Sequence, residues 1–245
     1  MSSEPELLGK TVVVIGGSAG IGLETARLAR AHGARVIVTG RDPARLQRAA
    51  SELGALSSAA FDATDATALE RFFRDLPSPL DHVMVTAGRP VYGRLLEMDL
   101  ALLGRGLGEH ALTAIQVARH AKRRLRPGGA LLLMGGTGAR RPALGLGLAA
   151  MVTAALPALT ANLALELAPA RVNLIAAGFV DTPLSAALLG SDLDRRRAEL
   201  RETLPIRRVV GPADVAALAV HLMVNTALTG ATFDVDGGQQ LVAGA

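Results

Sequence analysis

The sequence predicts a doubly wound α/β fold, a parallel sheet of about seven strands with helices on both faces. Three observations predict it. A β-branched run, Thr11–Ile15, enters the glycine turn Gly16-Gly-Ser-Ala-Gly-Ile-Gly22, and an amphipathic segment, residues 23–30, follows at once. Short apolar runs then alternate with helical stretches along the whole chain, the pattern of parallel strands joined by helical crossovers. Of the 245 residues 50% are hydrophobic but only 2% aromatic, so the core must be Ala, Val, Leu and Ile packed closely, as helices tight on a sheet require. No charge run or Pro/Ser-rich linker divides the chain, and a single domain is expected over 1–245.

The first strand, glycine turn and helix form a phosphate cradle. Glycine lets the backbone approach a ligand, and the open N–H groups and dipole of a helix N-terminus favour a pyrophosphate. The second strand, residues 34–41, comes about 20 residues on, where a dinucleotide fold meets the adenosine ribose. An acid there suits a ribose 2′-hydroxyl; the chain has Thr39, Gly40 and Arg41 instead. A guanidinium pairs bidentately with phosphate, and the cofactor implied is NADP(H).

Residues 43–53 read as a helix and 59–62 as the third strand, which puts Asp62 at a strand's C-terminal edge, beside an adenine. A helix over 67–76 leads to the fourth strand, 81–88, which ends in a small-residue turn. Residues 95–122 read as helical in two pieces, broken near Gly104 to Gly108, and Pro127-Gly-Gly129 punctuates before the fifth strand, 130–134. Residues 149–168 form an Ala/Leu-rich helix carrying Pro157, and 171–177 the sixth strand. A charged helix over 192–203, a helix over 212–223 and a last strand over 231–235 complete the domain.

Composition narrows the function classes. There is no cysteine, hence no disulfide framework, thiol nucleophile or zinc-cysteine site, and no metal is expected. The net charge of +4, from 26 basic and 22 acidic residues, comes mostly from dispersed Arg. Its clusters, 122–126 and 195–197, read as solvated helix ends, and with few aromatics to stack on bases no nucleic acid is expected. The opening Met1-Ser-Ser-Glu-Pro-Glu is polar and acidic, unlike a signal peptide, and no apolar run reaches membrane-spanning length without charge or glycine. The expectation is a cytoplasmic protein with no membrane partner.

Over essentially its whole length the chain resembles the short-chain dehydrogenase/reductase (SDR) family, whose members share a single-domain Rossmann fold. The resemblance is carried by Gly16-x-x-x-Gly20-x-Gly22, Asp62, Thr86-Ala-Gly88, Leu165-Glu-Leu-Ala168, Arg171-Val-Asn173, Gly178-Phe-Val-Asp-Thr-Pro183 and Asp236-Gly-Gly238. It implies that Gly16, Ser18, Gly20 and Ile21 line the pyrophosphate, with Ala19 and Gly22 in the same cradle. It further implies that Arg41 takes the 2′-phosphate and that Asp62 and Ala63 frame adenine. Ala87 and Gly88 would flank the ribose, Val180 and Thr182 would meet the nicotinamide end, and residues 183–210 would cover an unknown small-molecule substrate.

The same resemblance exposes a gap. Carbonyl reduction in this family uses a Tyr whose pKa is lowered by a Lys four residues later, a Ser that orients the carbonyl and an Asn that completes the proton path. Anchored on Thr160 and Ala164-Leu-Glu-Leu167, the Tyr position falls on Ala149, the Lys position on Thr153 and the Ser position on Gly136; the Asn region falls at Gly108-Glu-His110. No slip of alignment recovers the tetrad, because the only Tyr is Tyr92, the only lysines are Lys10 and Lys122, and no Asn lies between Gly88 and Ala161. The Pro that most relatives place before Gly178 is Ala177. Two readings follow. In one, an oxidoreductase of carbonyl or alcohol substrates uses substitute groups, Thr137 near the oxyanion and His110, Glu109 or Tyr92 for the proton. In the other, the protein binds NADP(H) without turnover, as a sensor or structural partner. Both expect weak or absent carbonyl reductase activity. The helix over 149–168 is apolar on nearly every face, so its outer side should meet another subunit, and the resemblance implies a homotetramer or homodimer. Pro157 is expected to kink that helix.

Overall fold

The computed structural model describes residues 6–140 and 142–242; the acidic opening stretch at 1–5 lies outside them. The seven strands are β1 (Thr11–Ile15), β2 (Arg35–Gly40), β3 (Ser57–Ala60), β4 (Leu80–Val85), β5 (Leu125–Gly136), β6 (Arg171–Ala177) and β7 (Thr232–Val235). They form one parallel sheet in the order β3-β2-β1-β4-β5-β6-β7. The helices are α1 (Gly20–Ala31), α2 (Pro43–Leu53), α3 (Ala66–Asp75), α4 (Leu100–Ala121), α5 (Gly147–Leu167), α6 (Pro183–Leu189), α7 (Leu193–Thr203) and α8 (Pro212–Val224).

The β-branched strands alternate their side chains between two cores. Val13, Ile15, Val83, Val85, Leu131 and Leu133 point one way, against Phe72 and Phe73 of α3, Val117 of α4 and Leu156 and Leu163 of α5. Val12, Val14, Val36, Val38, Met84 and Leu132 point the other way, against Ala26 and Ala29 of α1, Leu46 of α2 and Val215 and Ala219 of α8. The central strands are therefore largely apolar on both faces rather than alternating, as burial on both faces demands, with Asp81 and His82 in β4 as buried polar exceptions. The buried Arg171 donates to the carbonyls of Gly128, Leu222, Met223 and Leu228. Asn173 bonds the Leu228 carbonyl and the Ala231 N–H. The Arg-Val-Asn motif thus ties the end of α8 and the start of β7 to the sheet.

Four expectations are corrected. The helix predicted to break near Gly104 to Gly108 is continuous over Leu100–Ala121, preceded by a short 3-10 turn at Leu95–Glu97. Glycine keeps both main-chain hydrogen-bonding groups, so each costs only about 1 kcal/mol in a helix. Gly106 also serves packing, since a Cβ there would lie 2.7 Å from Leu148 Cδ2. The Pro127-Gly-Gly129 stretch does not delimit β5 but sits inside it: the register with β4 jumps from Leu80↔Leu125 to His82↔Ala130, and the intervening residues bulge. Asp62 follows β3 rather than ending it, because the strand stops at Ala60. The stretch after Pro183, where only the charged helix over 192–203 was expected, begins with a separate apolar helix, α6, before the charged α7. Pro157 lies inside an uninterrupted α5.

Candidate cofactor and reaction site

Strand order reverses between β1 and β4, and ligands of doubly wound sheets bind beyond the strand C-termini at that switch point. A cleft of about 1480 Å³ opens there. Its floor is the β1–α1 turn. A Cβ on Gly22 would lie 2.3 Å from the Gly16 carbonyl oxygen, and one on Gly16, at φ +99°, would lie 2.7 Å from the Ala87 nitrogen. Thr86 Oγ1 reaches the Ile15 and Gly16 carbonyls at 3.2 and 3.1 Å, which locks the β4 exit onto the turn. Asp42 caps α2 and Asp65 caps α3, but α1 begins without a side-chain cap, so its first-turn N–H groups open into the cleft.

At the adenosine end Thr39 is buried and its hydroxyl accepts from Gly16 N at 3.3 Å. Ser18 fills the space beside Gly40: a Cβ there would lie 2.7 Å from Ser18 Oγ. Arg41 is largely exposed, 3.9 Å from Asp62 Oδ2, an exposed pair worth at most about 1 kcal/mol and free to engage a phosphate. Asp62 is held below the usual carboxylate range first by the Thr64 backbone N–H and then by the Thr64 hydroxyl, with Arg41 adding to this against the opposing effect of burial. Ala63, Phe61 and Arg45 complete this end. Arg45, which the sequence reading did not single out, is bonded to Asp42.

Opposite the cradle, the loop after β6 is fixed from outside. Arg197 of α7 grips Asp181 bidentately at 2.9 and 2.8 Å, Val180 forms a bridge with Val210, and Thr182 caps α6 in a reciprocal box with Ser185. Thr182 faces the cradle, its Cβ 3.5 Å from where a Cβ on Gly20 would be. Ala87, Gly88, Val180 and Thr182 all line the cleft, as do Gly16, Ser18, Ala19, Gly20, Ile21 and Gly22.

At the far end Gly136, Thr137, Ala149, Thr153, His110, Glu109 and Tyr92 share one chamber. A Cβ on Gly136 would meet Thr153 Cγ2 at 3.3 Å. The Thr153 hydroxyl is committed to the protein: it accepts from Ala139 N at 3.1 Å and donates toward the Ala149 carbonyl at 2.9 Å. Thr137 is buried, with its N–H donated to the Ala177 carbonyl. The His110 ring presses on Gly88, Cε1 lying 2.5 Å from where a Cβ would be, and Gly88 has φ +137°. Burial lowers the His110 pKa, opposed in part by Glu109, so the imidazole is neutral at neutral pH. Tyr92 is half exposed and burial of the rest raises its pKa. Val91, Leu144, Leu146, Val152, Leu184 and Leu188 give the chamber an apolar wall.

The C-terminal segment is the part of this site that sequence reasoning missed. Gln239 is buried and accepts from Phe179 N at 2.8 Å, Asp236 accepts from Gly238 N and Gln240 N, and Arg140 bonds both Asp234 and Gln240. These contacts join the turns after β5, β6 and β7 into one wall. The Gln239–Phe179 and Arg140 contacts join residues 60 to 100 apart, and no local pattern announces them.

A family model described as enoyl-(acyl carrier protein) reductase matches residues 16–240. Short-chain dehydrogenase/reductase ATR9 of Stachybotrys chlorohalonatus is 29% identical over 96% of this chain and 98% of its own. Galactitol 2-dehydrogenase (L-tagatose-forming) of Cereibacter sphaeroides is 34% identical over 94% of each. A crystal structure of a small-chain dehydrogenase in complex with NADPH superposes with a TM-score of 0.83 at 28% identity, covering 96% of this chain and 100% of that one.

Proposed function

The chain belongs to the short-chain dehydrogenase/reductase family, and we propose that it is an NADP(H)-dependent oxidoreductase of carbonyl or alcohol substrates whose catalytic tetrad is degenerate. The observation that carries this reading is the uncapped α1 N-terminus beneath a glycine turn, with an exposed Arg41 at the end of β2. In it, the cradle from Gly16 to Gly22, Ser18 included, holds the pyrophosphate, Arg41 holds the 2′-phosphate, and Asp62 and Ala63 frame adenine. Ala87, Gly88, Val180 and Thr182 position the nicotinamide half. NADPH, when bound, supplies a hydride. A relative crystallised with NADPH supports the cofactor.

The chain's own residues orient and enclose rather than donate protons. Gly136 and Ala149 carry no polar side-chain atom, Thr153 is spent on Ala139 and Ala149, and the His110 ring, its pKa lowered by burial, lies against Gly88. This arrangement equally favours the second reading, an NADP(H)-binding protein without turnover. Calorimetry with NADPH and NADH, followed by NADPH consumption over a panel of carbonyls, separates the two. Equal affinity for both cofactors would overturn the NADP(H) assignment.

The proposed assembly is a homotetramer or homodimer built on α4 and α5. The inner face of α5, Leu156, Thr160, Leu163 and Leu167, is buried, while Met151 and Leu165 on its outer side and Leu112 on α4 are exposed. Exposed apolar side chains on two helices that pack together favour an interface there. Light scattering that reports a single 25.2 kDa chain at micromolar concentration would overturn it.

A further inference from the structure

We infer that Arg197 of α7 is a positioning residue for the nicotinamide half of the cofactor, because its ion pair with Asp181 holds Thr182 at the cradle from outside the cleft. The inference rests on the NADP(H) binding proposed above and deepens it, assigning part of that affinity to a contact away from the ligand. The loop from Gly178 to Thr182 leaves β6 with its main chain anchored on one side. Gly178 N donates to the Val235 carbonyl, Phe179 N to Gln239 Oε1, and Asp181 N to the Val210 carbonyl at 2.9 Å. The next residue, Thr182, faces the cradle, its Cβ 3.5 Å from where a Cβ on Gly20 would be. Its own polar bonds run forward into α6, to Ser185 and Ala186, and α6 has no fully buried side chain to anchor it. Pro183 follows at the start of that helix with its φ fixed by the ring. The direction of Thr182 therefore depends on how Asp181 is held.

Arg197 spends its whole guanidinium on this corner. Nε and Nη2 donate to Asp181 Oδ2 and Oδ1 at 2.9 and 2.8 Å, and Nη1 donates to Asp194 Oδ1 at 2.9 Å. A bidentate fork sets orientation as well as distance. The pair joins residues 16 apart, whereas Arg195 pairs with Asp192 and Arg196 with Glu199 only three residues away. It is also sheltered, its side chains 30% and 31% exposed against 74% and 59% for Arg195 and Asp192. Leu200 is the buried side chain of α7, and the fork is the polar tie from this helix to the loop after β6. Neither Asp181 nor Arg197 is among the described residues that line the cleft, while Val180 and Thr182 are. An effect of the pair on cofactor affinity must therefore travel through the loop.

The test is calorimetry on the full-length protein with two probes, NADPH and adenosine 2′,5′-bisphosphate, which carries the adenosine end and the 2′-phosphate but no nicotinamide. Arg197→Gln and Asp181→Asn should each weaken NADPH about three- to tenfold, within the range for substitutions that touch no ligand but shift a coupled element. Neither should change binding of the bisphosphate. Arg197→Lys should recover part of the loss, and the double variant Arg197→Gln, Asp181→Asn should be no weaker than either single one, as expected for partners in one contact. Arg195→Gln, which takes the same charge from the same helix, should leave both probes unchanged. The two single variants change net charge in opposite directions, so weakening by Arg197→Gln with tightening by Asp181→Asn would overturn the inference in favour of a long-range field. Equal weakening of both probes would overturn it by showing a general loss of structure, and unchanged NADPH affinity in both variants would overturn it while leaving the cofactor reading in place. Failure of the wild type to bind NADPH would overturn both.

Discussion

The two ends of the cleft use the same kinds of groups in opposite ways. At the adenosine end, polar groups are left available: α1 has no side-chain cap, and Arg41 stands exposed with only a 3.9 Å contact to Asp62. At the reaction end, polar groups are absent or already satisfied: Gly136 and Ala149 bring none, Thr153 Oγ1 is bonded to three main-chain groups, and His110 is neutral against Gly88. A free donor in a folded protein is costly unless a ligand or water uses it. An open set of N–H groups beside a wall whose Thr153 hydroxyl is already bonded is the contrast on which the proposed cofactor site and the proposed lack of a proton donor both rest.

The largest expected change comes from giving the reaction end what it lacks. The triple variant Gly136→Ser, Ala149→Tyr, Thr153→Lys should raise NADPH oxidation with a small ketone by about 10²- to 10⁴-fold, the contribution of a positioned acid. In the wild type a Cβ at position 136 would lie 3.3 Å from Thr153 Cγ2, a contact that the lysine replacing Thr153 removes along with the threonine methyl. Binding of NADPH without any gain in turnover would show that the backbone is out of the family's register.

Removing what the adenosine end offers should matter less. Arg41→Ala is expected to weaken NADPH by about ten- to a hundredfold, the loss of one charge-assisted phosphate contact, and to leave NADH nearly unchanged; calorimetry on both cofactors checks it. A parallel loss for NADH would place Arg41 elsewhere on the nucleotide. Thr153→Val should cost about 1 kcal/mol of stability through the Ala139 N–H left without its partner, seen as a small drop in Tm. NADPH affinity should hold, and a large fall in affinity would show that the hydroxyl serves the cofactor after all.

The smallest effect is one of pH. Burial lowers the folded-state pKa of His110 below its ordinary value of about 6.5. As an acid it would have to be protonated, and ketone turnover would climb as pH falls below about 6.5 toward that lowered pKa. The residual rate is expected to stay flat across that range after correction for stability. A tenfold rise per pH unit, abolished in His110→Gln, would restore His110 as the proton donor.

Local rules carried the sequence a long way at one end of this cleft. The β-branched run, the glycine turn and the amphipathic helix are contiguous, and Arg41 follows its own strand, so period, turn chemistry and spacing placed the cradle and the sheet without knowledge of any long-range contact. The same rules failed at α4, where glycines near residue 106 read as a break. Packing of Leu148 into the space beside Gly106 keeps the helix whole, and that energy is invisible to propensity. They failed again at Pro127-Gly-Gly129, a bulge that only the pairing with β4 reveals.

What the sequence determined by itself was the fold class and the place of the glycine turn between the first strand and the first helix, because each depends on residue types at short or fixed spacing; the groups missing from the reaction end were implied only by the family resemblance. The tertiary structure alone decided that Thr153 is spent on the Ala139 turn, that His110 lies neutral against Gly88, and that Gln239 and Gln240 close the site through Phe179 and Arg140. These are contacts between segments far apart in the chain, fixed by how helices and loops dock on a shared sheet, and burial rather than spacing sets what their polar groups do.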